Sequence, residues 1–180
     1  TIRATLREKS SEKEFPVDAV NTVISRAGRT AYFDDEALER YFSNTYGNRL
    51  TFLALSILYP DNNWGAISYH QDHIFPQTMF SKKAFEAAGF DWDKICRYSN
   101  SKNRLGNLEI LSSDENLEKS GTPFDEWILS RDESFKTRHL IPDEPELWKF
   151  ENFDQFVKAR EALIKNKLTL ILGKPTSGEE

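Results

Sequence analysis

The chain has 180 residues, with 24 lysine plus arginine against 29 aspartate plus glutamate, a net charge of −5, 38% hydrophobic and 13% aromatic residues. That content excludes intrinsic disorder and suffices for one domain with a proper core. The single cysteine, Cys96, excludes a disulfide scaffold and a cysteine-built zinc site; the longest apolar run, Leu50–Tyr59, is half of the ~20 residues a membrane span needs; and the acidic balance counts, at first sight, against a nucleic-acid partner.

In chain order, Val17, Val20, Val23 and Ile24 recur at helical spacing after Phe15–Pro16, and Gly28 ends the run. Asp34 or Asp35 can cap a second helix carrying Leu38, Tyr41 and Phe42. Residues 49–59 read as a third helix, stopped by Pro60, Asp61, Asn62 and Asn63. From Ala66 to Pro76 the residues turn β-like and end in proline, the pattern of a strand running into a loop. Ser81–Ala88 is a short helix closed by Gly89, and Asp91–Tyr98 is another. A polar loop from Ser99 to Gly106 leads to a second strand, 107–111, where polar and apolar residues alternate. Ser113, with Asn116 three residues on, opens a new helix whose first turn holds Asp114 and Glu115, where the helix dipole favours acids. Phe153, Phe156, Val157, Leu163, Ile164 and Leu168 then form the apolar stripe of a long C-terminal helix. Pro142–Pro145 is the one candidate linker, and the polar tail 175–180 reads as frayed. The expected class is α+β, mostly helical, with two short antiparallel strands embedded between N- and C-terminal helices.

Three features could carry chemistry. Asp72 and His73 close the first strand: a carboxylate can bind a hard cation, and an imidazole can accept a proton at neutral pH. Alone, the pair reads more readily as a turn contact. Asn107 and Asn116 sit where asparagines ordinarily cap helices or pin loops. Lys119 shares a helix face with Asn116, where a lysine is ordinarily solvated.

The order of these pieces resembles a known pattern. Asp72-His73-Ile74-Phe75-Pro76, a connecting segment, Gly106-Asn107-Leu108-Glu109-Ile110-Leu111, four residues and Asn116-Leu117-Glu118-Lys119 are similar to the HNH, or ββα-metal, nucleases. More narrowly, His73–Gln77, Arg104–Leu108 and the run Asn116, Ser120, Phe124 resemble the C-terminal nuclease domain of GmrSD-type, modification-dependent (Type IV-like) restriction enzymes. The motifs cover about residues 69–124.

The resemblance implies one HNH nuclease domain over 1–174, with its motif core at 66–124 and helical flanks at 1–62 and 125–174. It implies DNA phosphodiester hydrolysis in restriction of foreign or phage DNA. His73 would be the general base, and Asp72 and Asn116 would hold one divalent ion. Asn107 would pin the loop and orient His73, and Lys119 would contact a phosphate. Asn116 is a neutral oxygen donor, so Mg²⁺ or Mn²⁺ suits the set better than Zn²⁺, and no zinc knuckle is expected. His70, on the Asp72 face of the strand, is a possible further ligand or phosphate contact; His139, far from the motif, is read as structural. The expected partner is double-stranded DNA. An N-terminal DNA-sensing, nucleotide-hydrolysing domain or subunit is expected outside this chain, which begins at Thr1 without methionine. The expected setting is the cytoplasm of a bacterium or archaeon, with no membrane partner.

Segment by segment, the charge changes that first impression. Residues 70–107 carry six basic groups (Lys82, Lys83, Lys94, Arg97, Lys102, Arg104) against four acidic ones, whereas 108–180 carries a net −6. Lys82, Lys83, Lys102 and Arg104 are therefore the candidate DNA contacts. The tryptophans, Trp64, Trp92, Trp127 and Trp148, read as core rather than base-stacking platforms. The rival reading is a catalytically weak module that binds DNA or a partner.

Overall fold

The computed structural model describes residues 1–27 and 35–172. Gly28, Asp34 and the tail 175–180 lie outside the described residues. The chain is mostly helical. Four helices, α1 (Ile2–Glu8), α2 (Val17–Arg26), α3 (Asp35–Phe42) and α4 (Thr51–Ser56), precede strand β1 (Tyr69–His73). Helices α5 (Lys82–Ala88) and α6 (Trp92–Ser101) join β1 to strand β2 (Leu108–Ser112). Helices α7 (Ser113–Lys119), α8 (Phe124–Trp127), α9 (Glu133–His139) and α10 (Phe153–Leu172) follow. Among the described residues no helix is long and apolar enough to cross a membrane.

The two strands pair antiparallel, from Tyr69 opposite Ser112 to His73 opposite Leu108, with Asp72 opposite Glu109. β1 is shorter than the expected 66–76. After His73 the backbone leaves the sheet: Ile74 N–H donates to the Asn107 carbonyl, and Phe75 N–H to the Asn107 side chain. Local chemistry sets the helix ends. Ser81 and Asp91 cap α5 and α6 through their side-chain oxygens, and Gly89 ends α5 at a positive φ of 65°. α6 runs past Tyr98 because its neighbours reward the extra turn: Tyr98 is buried and its hydroxyl donates to the Glu151 carbonyl. The cap of α7 is Ser112, one residue before the expected Ser113. Its hydroxyl accepts from Glu115 N–H while the Glu115 carboxylate accepts from Ser112 N–H, a capping box that satisfies two orphan donors at once.

Two apolar clusters flank the sheet, and α10 runs through both. Phe153, Phe156 and Val157 join the cluster around Phe75, whose ring lies 4.7–5.2 Å from the rings of Phe124, Phe153 and Phe156. Ile164 and Leu168 join the second, with Leu55, Leu58, Leu105, Leu108 and Ile110. Trp127 and Trp148 are core residues as expected, but Trp64 and Trp92 are exposed; α5 and α6 are too short to offer Trp92 a second layer.

A buried arginine completes the frame. Arg160 of α10 donates to the carbonyls of His139, Leu105, Gly106 and Leu108. It thereby satisfies the turn before β2, which has no strand partner of its own there.

Candidate functional site

His73 ends β1 with its ring almost wholly buried. Its Nε2 lies 2.9 Å from Asn103 Oδ1 and 3.5 Å from Gln77 Nε2. The Tyr46 ring packs on it at 4.3 Å between centroids. Tyr46 is brought there by the N-terminal region, since its N–H donates to the Asn103 carbonyl and Thr45 pairs with Arg104. Asn103 can only accept through Oδ1, so Nε2 carries the proton and Nδ1 keeps the lone pair. Burial holds the His73 pKa below the ordinary 6.5; Lys119 and Lys102 push the same way, against the Asn103 hydrogen bond and Asp72. The ring is therefore neutral, a base with one free nitrogen, at neutral pH.

Asp72 stands beside it under different control. Its Oδ2 accepts from Lys119 Nζ at 2.6 Å, while the side chain stays 23% exposed. Lys119 is fully buried. Its ammonium also donates to the His73 carbonyl at 2.6 Å and to Glu109 Oε1 at 2.7 Å. All three ammonium hydrogens are thus used internally. The phosphate contact expected of Lys119 is not where the structure puts this side chain: α7 packs across the face of the sheet that carries Asp72 and Glu109, and two carboxylates capture the charge.

Glu109 extends the cluster inward. Its Oε2 lies 2.9 Å from His139 Nδ1, which is also 3.2 Å from the Tyr59 hydroxyl. Burial alone would raise the Glu109 carboxyl, but the Lys119 charge and the His139 hydrogen bond outweigh it and hold it well below the usual carboxylate range. Burial pushes His139 down despite Glu109. The His139 Nε2 is buried with no partner, so a second N–H there would be costly, and the neutral Nδ1–H form fits. His139 is structural, as its sequence position suggested. Asp72, Glu109 and Lys119 together carry one net negative charge.

Asn107 is fully buried and acts as a pin. Its Oδ1 accepts from Phe75 N–H, and its Nδ2 donates to the Phe75 and Lys102 carbonyls. It touches His73 only indirectly, by fixing the backbone that follows His73 at Phe75 and that precedes Asn103 at Lys102. The shortest side-chain hydrogen bond of the imidazole is with Asn103, which the sequence reading missed; a polar residue in a polar loop gives no signal. Glu109 was also passed over, although a charge inside an apolar five-residue strand is a legible oddity.

Asn116 lies one turn before Lys119 on α7, half-buried, and its side chain makes no hydrogen bond among the described residues. His70 is exposed; Ser113 gives its hydroxyl proton to the Ser68 carbonyl and sits 3.0 Å from His70 Nε2. Of the expected ligands, Asp72 Oδ1 and Asn116 Oδ1 thus make no hydrogen bond among the described residues. Among the described residues no group of three or more His, Cys, Asp and Glu gathers as a metal cluster. One carboxylate plus one carboxamide is a donor set that suits a hard ion which keeps most of its water, as Mg²⁺ does.

The basic segment divides in two. Arg104 forms a fork with Glu161, Arg97 pairs with Asp154, and Lys94 donates to the Glu151 carbonyl. These three tie the segment to α10 and its approach. Lys82 has only a 3.7 Å contact to Glu86, and Lys83 and Lys102 form no ion pair among the described residues. No protein-family model and no curated protein matches the chain.

Proposed function

We propose that the protein is a metal-dependent endonuclease of the HNH, or ββα-metal, type, hydrolysing DNA phosphodiester bonds. The observation that carries this reading is the state of His73. It is a buried, neutral imidazole whose Nε2–H is held by Asn103 and whose Nδ1 has no protein hydrogen bond among the described residues, next to an acidic side chain that keeps one oxygen free. A general base needs that combination of fixed tautomer and free lone pair.

In the reaction, His73 Nδ1 takes a proton from a water as the water oxygen attacks phosphorus, and the P–O3′ bond breaks. Asn103 keeps the imidazole in the correct tautomer and bears on the charge that develops there. Asn107 holds the loop that carries the base. Lys119 holds Asp72 by one oxygen, leaving the other with no hydrogen bond among the described residues. A divalent ion held by Asp72 and Asn116 would supply stabilisation of the charge that builds on the phosphoryl oxygens and the leaving group. A role in restricting foreign or phage DNA follows from the motif resemblance and belongs to the same proposal.

A binding module without catalysis is the second reading. The Lys119–Asp72 ion pair favours it, because it satisfies half of the carboxylate without any metal. Incubation of purified protein with supercoiled plasmid and Mg²⁺ or Mn²⁺ decides between them. The nuclease reading expects nicking that chelator abolishes and that His73→Ala loses by at least ~100-fold, the usual scale of a missing general base. No nicking by the wild type under any divalent ion selects the binding module, and equal nicking by the variant rejects His73 as the base.

A further inference from the structure

The segment between the strands carries an aromatic slot that the reaction above does not use. Helices α5 and α6 splay around the Gly89–Phe90 turn. Lys82, Phe85, Glu86, Phe90, Trp92 and Ile95 line a concavity of about 480 Å³ between them, within the ~300–1,000 Å³ range of ligand pockets. Phe85 is its buried floor, with Phe90 at 6.3 Å beside it. Trp92, at the first position of α6, is 75% exposed and stacks on no other ring among the described residues. A large indole left in water beside an aromatic-floored concavity is the shape of an unfilled stacking site.

The rim is charged. Lys82 is 90% exposed, with Glu86 3.7 Å away as its one carboxylate neighbour among the described residues. Lys94 Nζ lies 4.1 Å from the Phe90 ring centre, fixed there by its bond to the Glu151 carbonyl. Lys83 follows Lys82 with no ion pair among the described residues. Residues 70–107, which contain the slot, carry six basic groups against four acidic ones. An aromatic face flanked by exposed lysines matches a base with its phosphates, because every nucleotide presents a planar π-face and an anion about one sugar apart. An apolar protein anchor or a hydrocarbon would leave those lysines unused. The faces of paired bases are covered by their neighbours, so only an unstacked base can enter.

We propose that this slot binds an unpaired nucleobase of a single-stranded nucleic acid, stacked on Trp92, with Lys82 and Lys83 on the neighbouring phosphates. It deepens the nuclease reading, on which its biological sense rests, by naming single-stranded or locally opened DNA as the form engaged.

The test is binding without turnover. The full chain in EDTA is titrated into a labelled oligothymidylate of about 12 nucleotides, a length that spans one such site, and into a duplex of equal length. Anisotropy and tryptophan emission are read together. The expected result is tighter binding of the single strand, quenched emission, and a loss of roughly 10-fold in affinity with loss of the quenching in Trp92→Ala. Lys82→Gln is expected to lower the slope of log affinity against log salt by about 1. Equal affinity of Trp92→Ala, or a duplex bound as well as the single strand with emission unchanged, overturns the proposal. Unchanged emission is also the result if the slot instead seats a protein side chain. Because Trp92 is exposed, its loss leaves folding intact, which circular dichroism verifies. A protein that stacks the oligomer through Trp92 yet cuts no DNA keeps the slot and sinks the nuclease reading. One that nicks plasmid while Trp92→Ala binds normally sinks the slot alone.

Discussion

At the scale of single residues, burial decides which charges do work and which only hold. Lys119 and Glu109 are buried partners; removing one of such a pair commonly costs about 3–5 kcal/mol, because the other is left uncompensated. His139 is the group in this cluster that titrates against the fold. Burial lowers its pKa below 6.5 in the folded protein, whereas the unfolded chain regains the ordinary value. Between the two values the unfolded state binds the extra proton, so stability rises with pH there and is lost as pH falls below about 6.5. His73, lowered for the same reason, contributes with the same sign. His139→Gln keeps a donor for Glu109 but cannot titrate. Its Tm is expected to fall less than that of the wild type between about pH 7 and pH 5; an equal fall would show that His139 does not set the slope.

At the scale of elements, the site depends on how closely α10 approaches the turn before β2. A Cβ on Gly106 would stand 2.8 Å from Val157 Cγ1 and 2.9 Å from Glu161 Cγ. Arg160 meanwhile ties the same turn to the helix through three carbonyls. Gly106→Ala must push α10 away or strain the turn that positions Asn107. A loss of about 1–3 kcal/mol is expected, read as a lower urea midpoint at unchanged slope. Element by element, helices with a side-chain cap and a glycine stop, α5 above all, were legible in the sequence. The end of α6 and the length of β1 were not. Tyr98 meeting the Glu151 carbonyl extends the helix, and Asn107 capturing Ile74 and Phe75 shortens the strand, and both partners are remote in the chain.

At the scale of the whole molecule, the charge of −5 conceals a division of labour. Half of the basic groups between the strands clamp that segment to α10 and its approach through Glu161, Asp154 and the Glu151 carbonyl. Lys82, Lys83 and Lys102 make no close ion pair among the described residues, and the charge of Lys102 reaches the His73 ring. On the nuclease reading, a chain of net charge −5 is expected to bind DNA weakly and with strong salt dependence. Lys102→Gln is expected to reduce the slope of log affinity against log salt by about 1, and Arg104→Gln to leave it unchanged. Fluorescence anisotropy across a salt series measures both, and the reverse order would reassign the phosphate contacts.

The sequence by itself determined the mostly helical α+β class, the caps of α5 and α6, and the candidate residues Asp72, His73, Asn107, Asn116 and Lys119. Caps, periodicity and turn chemistry act within a few residues, so they can be read along the chain. Only the tertiary structure decided what those residues touch. Lys119 turns inward to Asp72 across 47 positions, and His73 finds Asn103 across 30. Arg104 is lost to Glu161, and Trp92 is left in water. Desolvation and ion pairing depend on what the fold brings near a charge, and for these residues the decisive neighbours come from distant parts of the chain.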